Sequence, residues 1–329
     1  MQQKGFVQIL PIVIITLCIG VVVFVSTLKK PDIQTSEIVT SPTSSPVITT
    51  PTLEPTPVPT PTVAPIPTPL PIVSTPIVVA TPVPTPKPTP KPITGPPGAG
   101  YTSGTVHTEK GDFTATILTV DLNSARMLTD TGNDGDCGNN CTVTSLQNYV
   151  NRNGGFAGVN GSYFCPASYA ECASKSNSFD FPVYNSRLGH WVNGGNLSWN
   201  GRSIVYADGG GVHYLQNASS FSGGLTAGVV NYPGLVDNGN VQIDDSQSGL
   251  SDKQKTVGTK VGIGISGSKK VMIVIAYKVN MQQFAYVFKA LGASGAMNLD
   301  SGGSTAMYYN GAYKAGPGRE IPNAIIFAK

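Results

Sequence analysis

The sequence predicts an α+β domain, a mixed and largely antiparallel β-sheet core with a few helices, preceded by one transmembrane helix and a disordered Pro/Thr stalk. Three observations carry this. The run from Phe6 to Leu28 contains no charged residue and exceeds the roughly 20 residues needed to cross a bilayer. The stretch from Pro31 to Pro97 holds 21 of the chain's 27 prolines. The remainder is rich in Gly and in short β-branched runs separated by turn signals, with only two helical patterns.

These boundaries divide the chain into an N-terminal anchor over 1–30, a linker over 31–100 and a folded domain over 101–329. A cleaved signal peptide is the alternative for the first segment, although the run is long for one and no A-x-A site follows it. Pro-Thr alternation such as Pro55-Thr56-Pro57-Val58-Pro59 removes backbone donors and favours an extended spacer. At about 3.1 Å per residue it could reach on the order of 200 Å. The net charge of +3, with no basic cluster, argues against a nucleic-acid partner.

Within the domain, Phe113–Leu122 alternates as a first strand, and Thr144–Asn151 reads as a short helix capped by Thr144 or Thr142 and stopped by Gly154-Gly155. Phe156–Phe164 is a strand entering a turn. Trp199–Ala207 and Gly211–Gln216 form a hairpin across Asp208-Gly209-Gly210, and Leu225–Asn231 is a further strand. Thr259–Ser266 and Val271–Tyr277 pair across Gly267-Ser268-Lys269-Lys270. Met281–Leu291 is an amphipathic helix with Phe284, Val287, Phe288 and Leu291 on one face. A strand then runs to Asp300. Thr305–Tyr309 and Ala312–Lys314 flank an Asn310-Gly311 turn, and Ala324–Phe327 is a buried strand.

Five cysteines are present, Cys18 in the apolar run and two close pairs, Cys137/Cys141 and Cys165/Cys172. Four cysteines allow three pairings, and the local ones close short polar loops. A zinc site is the rival, but the spacings are unusual for one and no His lies nearby. Disulfides imply an oxidising compartment, which places the domain on the far side of the membrane, C-terminal and extracytoplasmic on a single-pass anchor.

The chemistry points to one acid. Asp300 follows Met297-Asn298-Leu299 and precedes Gly302-Gly303, and an ionised carboxylate beside apolar residues is costly unless paired. Asp180, between two Phe residues, is a second semi-apolar acid; Glu320 reads as paired or exposed. Of His107, His190 and His213, only His190 resembles a site residue, and a solvated loop is its simpler reading. Asn133-Asp134-Gly135-Asp136 resembles the start of a calcium loop but lacks the later ligands, so Ca2+ is a minor possibility and no other metal or cofactor is expected. Glycoside cleavage typically uses two carboxylates. A phosphate leaving group relaxes that need and calls for cations, for which Arg319 and Lys260 are candidates.

Several segments resemble the phosphodiester glycosidase family, that of the uncovering-enzyme domain. Asn160-Gly161-Ser162-Tyr163-Phe164 is similar to its N-G-G-F-F turn, and Tyr232 to Gly239 to its G-P-x-L-V-x-x-G segment. Lys260 to Ile265 falls at its R-T-A-x-G, Leu299 to Thr305 resembles L-D-G-G-G-S-[ST], and Arg319 to Ala324 resembles R-x-V-x-N-A. The resemblance implies hydrolysis of a sugar 1-phosphodiester. It implies Asp300, Asn160 and Arg319 as catalytic residues, and Gly302, Gly303, Ser304, Asn323, Lys260 and Tyr163 as substrate contacts. Ser301 replaces the first Gly of the triplet, which narrows the backbone angles expected there, and Lys260 stands near the expected Arg. The expected partner is a carbohydrate phosphodiester in an envelope glycan. The alternative reading is a non-catalytic glycan-binding module on a stalk, with Trp191, Trp199, Tyr308 and Tyr309 as stacking surfaces; a structural wall spacer is a third.

Overall fold

The computed structural model describes residues 92–93, 95–246 and 249–329. The expected anchor over 1–30 and the stalk as far as residue 91 lie outside the described residues, as does Cys18. Among the described residues no helix is long and apolar enough to cross a membrane.

Three sheets form the domain. The largest has eight strands in the spatial order Pro92–Ile93, Gly100–Thr108, Gly111–Asp121, Lys270–Val279, Gly258–Ser266, Gly295–Asn298, Gly234–Asp237 and Asn240–Val241. A five-stranded sheet is centred on Ala227–Asn231, and another on Gly155–Asn160 with Asn323–Ala328. Among the described residues every ladder is antiparallel except that of Pro92–Ile93 with Thr105–Val106. The mixed, largely antiparallel expectation therefore holds. Three residues of the expected stalk join the large sheet: Gly100 opens the strand Gly100–Thr108, and Pro92 and Ile93 form the sheet edge, where a missing N–H is tolerated.

The large sheet is buried on both faces, which is why its central strands are continuous apolar runs. In Lys270–Val279, Val271, Ile273 and Ile275 face the core shared with the smaller sheets, while Met272, Val274 and Ala276 face the opposite core. That second core is closed by helix Met281–Ala290. Its N-terminus carries a capping box, with Asn280 accepting from the Gln283 N–H and the Gln283 side chain accepting from the Asn280 N–H. Phe284, Val287, Phe288 and Leu291 are all fully buried, as the 3.6-residue pattern requires. They press onto Gly262 and Gly264, where an added Cβ would sit 2.8 Å and 2.7 Å from the Phe288 ring. The alternation Gly262-Ile263-Gly264-Ile265 thus puts a flat surface under the helix and bulk on the other side.

The other helices are short. Leu146–Arg152 is capped by Ser145, whose hydroxyl accepts from the Asn148 N–H, not by Thr144 or Thr142. Thr144 is instead used in a bridge to Ile321. Asp252–Lys255 is a single turn capped by Ser251, too short to leave a periodic signal in the sequence. Gly100–Thr108 and Arg126–Thr131 are strands beyond those expected, because their sequences GYTSGTVHT and RMLTDT carry little apolar signal. Both cysteine pairs form locally, Cys137–Cys141 and Cys165–Cys172.

Gly264→Ala should lower stability by about 1–3 kcal/mol through overpacking against Phe288, read as a shift in the denaturation midpoint; Gly267→Ala at the open hairpin turn meets no atom and differs from it by testing backbone strain alone.

Candidate active site

The strand Gly295–Asn298 ends where the chain leaves the large sheet. The Leu299 N–H still bonds the Val261 carbonyl at 2.8 Å, and the Asp300 N–H turns away to the Gly161 carbonyl at 3.0 Å. Asn160, fully buried, fixes the loop beyond that point: its Nδ2 donates to the Asp300 carbonyl at 2.7 Å and its Oδ1 accepts from the Ala306 N–H at 3.0 Å. One amide clasps both ends of the loop carrying Asp300. Asn323 acts similarly on the adjacent Gly161-Ser162 turn. Its Oδ1 accepts from the Ser162 N–H at 2.8 Å, its Nδ2 donates to the Ser162 hydroxyl at 3.0 Å, and its carbonyl accepts from the Gly161 N–H at 3.1 Å. A Cβ at Gly161 would overlap the Asn323 amide oxygen, so only glycine fits. Both asparagines orient backbone, and neither lines the cavity beside Asp300.

Asp300 lies partly buried in the wall of that cavity, which has a volume of about 770 Å³. Burial pushes its carboxyl up to about 6, against the opposing pull of the Ser304 side chain, the Ser301 N–H and the Arg319 charge. The Ser301 N–H reaches Asp300 Oδ1 at 2.9 Å. Ser301 itself is extended, at φ −137°, so serine is unstrained there. The narrowing of backbone angles expected from losing a glycine has no consequence. Its hydroxyl instead accepts from the Val261 N–H at 3.0 Å and donates to the Leu299 carbonyl at 3.2 Å. Gly302 does need to be glycine, with φ +64°.

Of the other expected contacts, Tyr163, Lys260 and Gly302 line the cavity. The Tyr163 hydroxyl accepts from Asn298 Nδ2 at 2.5 Å and Gln254 Nε2 at 3.2 Å, and burial raises its pKa, so it stays neutral. Lys260 is not the surface charge that a lone lysine usually is: it is 6% exposed, and Nζ donates to the carbonyls of Lys253 at 3.1 Å and Thr256 at 3.0 Å. Burial lowers its pKa, with Asp245 opposing. Gly303 and Ser304, within the Asp300 loop, and Arg319 are outside the lining. Arg319 packs so closely on Gly303 that any Cβ there would overlap its guanidinium. Its Nη2 reaches the Tyr169 hydroxyl at 3.4 Å and its Nη1 the Ser168 hydroxyl at 3.5 Å, with the Tyr169 ring centre 5.0 Å away.

The sequence does not single out Phe181, Arg202, Tyr232, Gln254 or Tyr169, all of which line the cavity. Tyr169 sits on the Cys165–Cys172 loop, so that disulfide builds part of the wall. Asp180 is exposed, not semi-apolar. His190 is exposed with Nε2 2.6 Å from the Asp134 carbonyl. In the segment resembling a calcium loop, Asp134 pairs with Arg187 at 2.6 Å and Asp136 accepts from the Asn193 N–H at 2.5 Å; no cluster of three or more metal-ligating side chains occurs among the described residues. Tyr308 is buried, and Trp191 packs edge-on against Tyr184 and Phe221, which leaves Trp199 as the well-exposed member of the expected stacking set.

The phosphodiester glycosidase family model matches residues 153–328. The chain belongs to this family. The match runs from the end of the first helix through Asn160, the Asp300 loop and Arg319 to the strand Asn323–Ala328. The zebrafish N-acetylglucosamine-1-phosphodiester alpha-N-acetylglucosaminidase catalytic domain, a structure auto-inhibited by its pro-peptide, has a similar fold. Its TM-score is 0.52 at 14% identity over 70% of this chain and 83% of that one. A hypothetical protein from Synechocystis aligns at TM-score 0.47 and 13% identity, over 69% of this chain; the chain spans 61% of that protein's length. No curated protein matches the chain in sequence.

Two outcomes are expected. Because folding raises the Asp300 pKa from 3.8 to about 6, the folded state binds the extra proton. Its contribution to stability is therefore greatest below pH ~4, falls as pH rises towards about 6 and is flat above. Denaturation midpoints from pH 4 to 8 should show this slope in the wild type and lose it in Asp300→Asn. Asn160→Ala leaves the Asp300 carbonyl and Ala306 N–H unpaired, at about 1–3 kcal/mol for each buried group, and should lower the thermal midpoint.

Proposed function

We propose that this chain hydrolyses a sugar 1-phosphodiester, releasing the sugar from its phosphate, with Asp300 acting at the anomeric carbon. The observation that carries this is a single desolvated carboxylate, locked on a clamped loop, in the wall of a cavity large enough for a sugar and its aglycone. The other acid lining the cavity is Glu171, exposed and 3.7 Å from Lys253, so no second desolvated acid joins Asp300 in the cavity lining among the described residues. A phosphodiester makes one unnecessary, because phosphate leaves without prior protonation.

Above about pH 6 Asp300 is charged. In that form it either stabilises the positive charge that grows at C1 or attacks C1 directly. Arg319 supplies a positive field at it, and Lys260 is a further cation in the cavity lining. The rings of the neutral Tyr163 and of Phe181, with centroids 6.3 Å apart, offer a wall for the sugar. The mature site would act outside the cytoplasm on an envelope glycan, held there by the N-terminal apolar segment and the Pro/Thr stretch; that element of the proposal rests on the sequence.

The test is sugar release from α-GlcNAc-1-phosphate esters of a chromogenic alcohol. Wild type should release sugar, with kcat/KM rising through about pH 6, and Asp300→Asn should lose about a hundredfold to a thousandfold, the order seen when one charge-stabilising group is removed. Binding of glycan without turnover, equal in the two proteins, would instead favour a display module with Trp199 as its exposed aromatic.

A further inference from the structure

Arg202 opens the strand Ser203–Asp208, immediately after Gly201 at φ +69°. It lines the same cavity as Asp300. Its guanidinium carbon lies 4.7 Å from the Tyr232 ring centre and 5.7 Å from that of Phe181, two further cavity residues. Aromatic faces hold a guanidinium flat without consuming its donors. Among the described residues its one hydrogen bond runs from Nη1 to the neighbouring Gly201 carbonyl at 3.2 Å, and no carboxylate pairs with it. Its Nε is buried without a partner, and so is the Tyr232 hydroxyl beside it.

The other cations around the cavity are already engaged. Lys253 is exposed, faces Glu171 and stands 4.9 Å over the Tyr169 ring. Lys260 gives two protons to carbonyls, and Arg319, outside the lining, points its fork at Ser168 and Tyr169. Among the described residues Arg202 alone presents a rigid, undercommitted fork to the cavity, the geometry that suits a phosphate oxygen pair.

We propose that Arg202 binds the phosphate of the substrate, and so is the residue that makes this cavity select glycosyl phosphodiesters over neutral glycosides. The proposal rests on the hydrolase reading above. Arg202 fixes the leaving group while Asp300 addresses the sugar, and the two come from different sheets across one cavity. No bond is made or broken at Arg202; its contribution is to binding the phosphate, whose negative charge is present before and after cleavage.

The experiment measures kcat and KM on the chromogenic phosphodiester, and binding of inorganic phosphate by calorimetry, for wild type, Arg202→Gln, Arg202→Lys and the exposed control Arg126→Gln. Arg202→Gln should raise KM and the phosphate Kd about tenfold or more, the loss of a charge-assisted pair, with kcat changing much less. Arg202→Lys should recover some of the loss, and Arg126→Gln should behave as wild type. A neutral methyl glycoside should bind all four equally. Unchanged KM and phosphate binding in Arg202→Gln, with turnover intact, would overturn this role and leave the hydrolase reading standing. If wild type turns over no substrate yet binds phosphate through Arg202, the hydrolase reading falls and the anion site remains. Phosphate bound by neither protein, or equally by both, overturns the site. Should Arg202→Gln fail to fold, Arg202→Lys decides alone: phosphate affinity equal to wild type would exclude a fork.

Discussion

A single buried amide sets the geometry of the candidate site. Asn160 has no exposure, and its side chain is committed to the carbonyl of Asp300 and the N–H of Ala306. Water cannot replace either partner, so the amide tolerates only one position for the loop between them. The loop in turn carries Gly302 in a left-handed conformation and Ser301 pinned to the neighbouring strand at Val261. Burial raises the proton affinity of a carboxylate held this way, and the hydrogen bonds of its own loop and the Arg319 charge offset only part of that.

The packing explains why this loop is rigid where it must be. Asp300 emerges from a strand whose neighbours are buried on both faces, with Phe284 and Phe288 pressed onto Gly262 and Gly264 from one side and the shared core on the other. The opposite rim is lighter. It consists of the one-turn helix Asp252–Lys255, tied down by Gln254 to Tyr163 and by Lys260 to two carbonyls, and of the Cys165–Cys172 loop bearing Tyr169. The floor is thus built by sheet hydrogen bonds and the rim by a few polar side chains and a disulfide. Asymmetry of this kind lets substrate enter on one side without loosening the acid on the other.

Much of this is legible in the sequence because its causes are local. Period-two alternation locates the hairpin of Gly258–Ser266 with Lys270–Val279 in the large sheet and the 203–215 hairpin. The spacing of Phe284, Val287, Phe288 and Leu291 locates the packed helix, and an acid breaking an apolar run locates Asp300. What the sequence hides depends on partners far along the chain. Arg126–Thr131 is polar in sequence but is zipped to Asn323–Ala328. Arg202 looks like any charge beside a turn until Phe181 and Tyr232 are folded around it. The motif resemblance gives Asn160 as catalytic and Asn323 as a substrate contact but not the backbone groups each one holds, since an asparagine that contacts a sugar and one that contacts a backbone read alike. Lys260 is legible as a candidate cation but not as a buried one, because its compensation comes from carbonyls, which sequence does not display.

The contact between Gly161 and Asn323 has a consequence for how this site can drift in evolution. The amide oxygen of Asn323 occupies the space that any side chain at 161 would need, and that same oxygen caps the Ser162 N–H. Shortening residue 323 to make room strands the donor; enlarging residue 161 displaces the acceptor. Neither position has a viable single step, so the two behave as one inherited character, and lineages diverging elsewhere in the cavity should carry the pair unchanged or exchange both together.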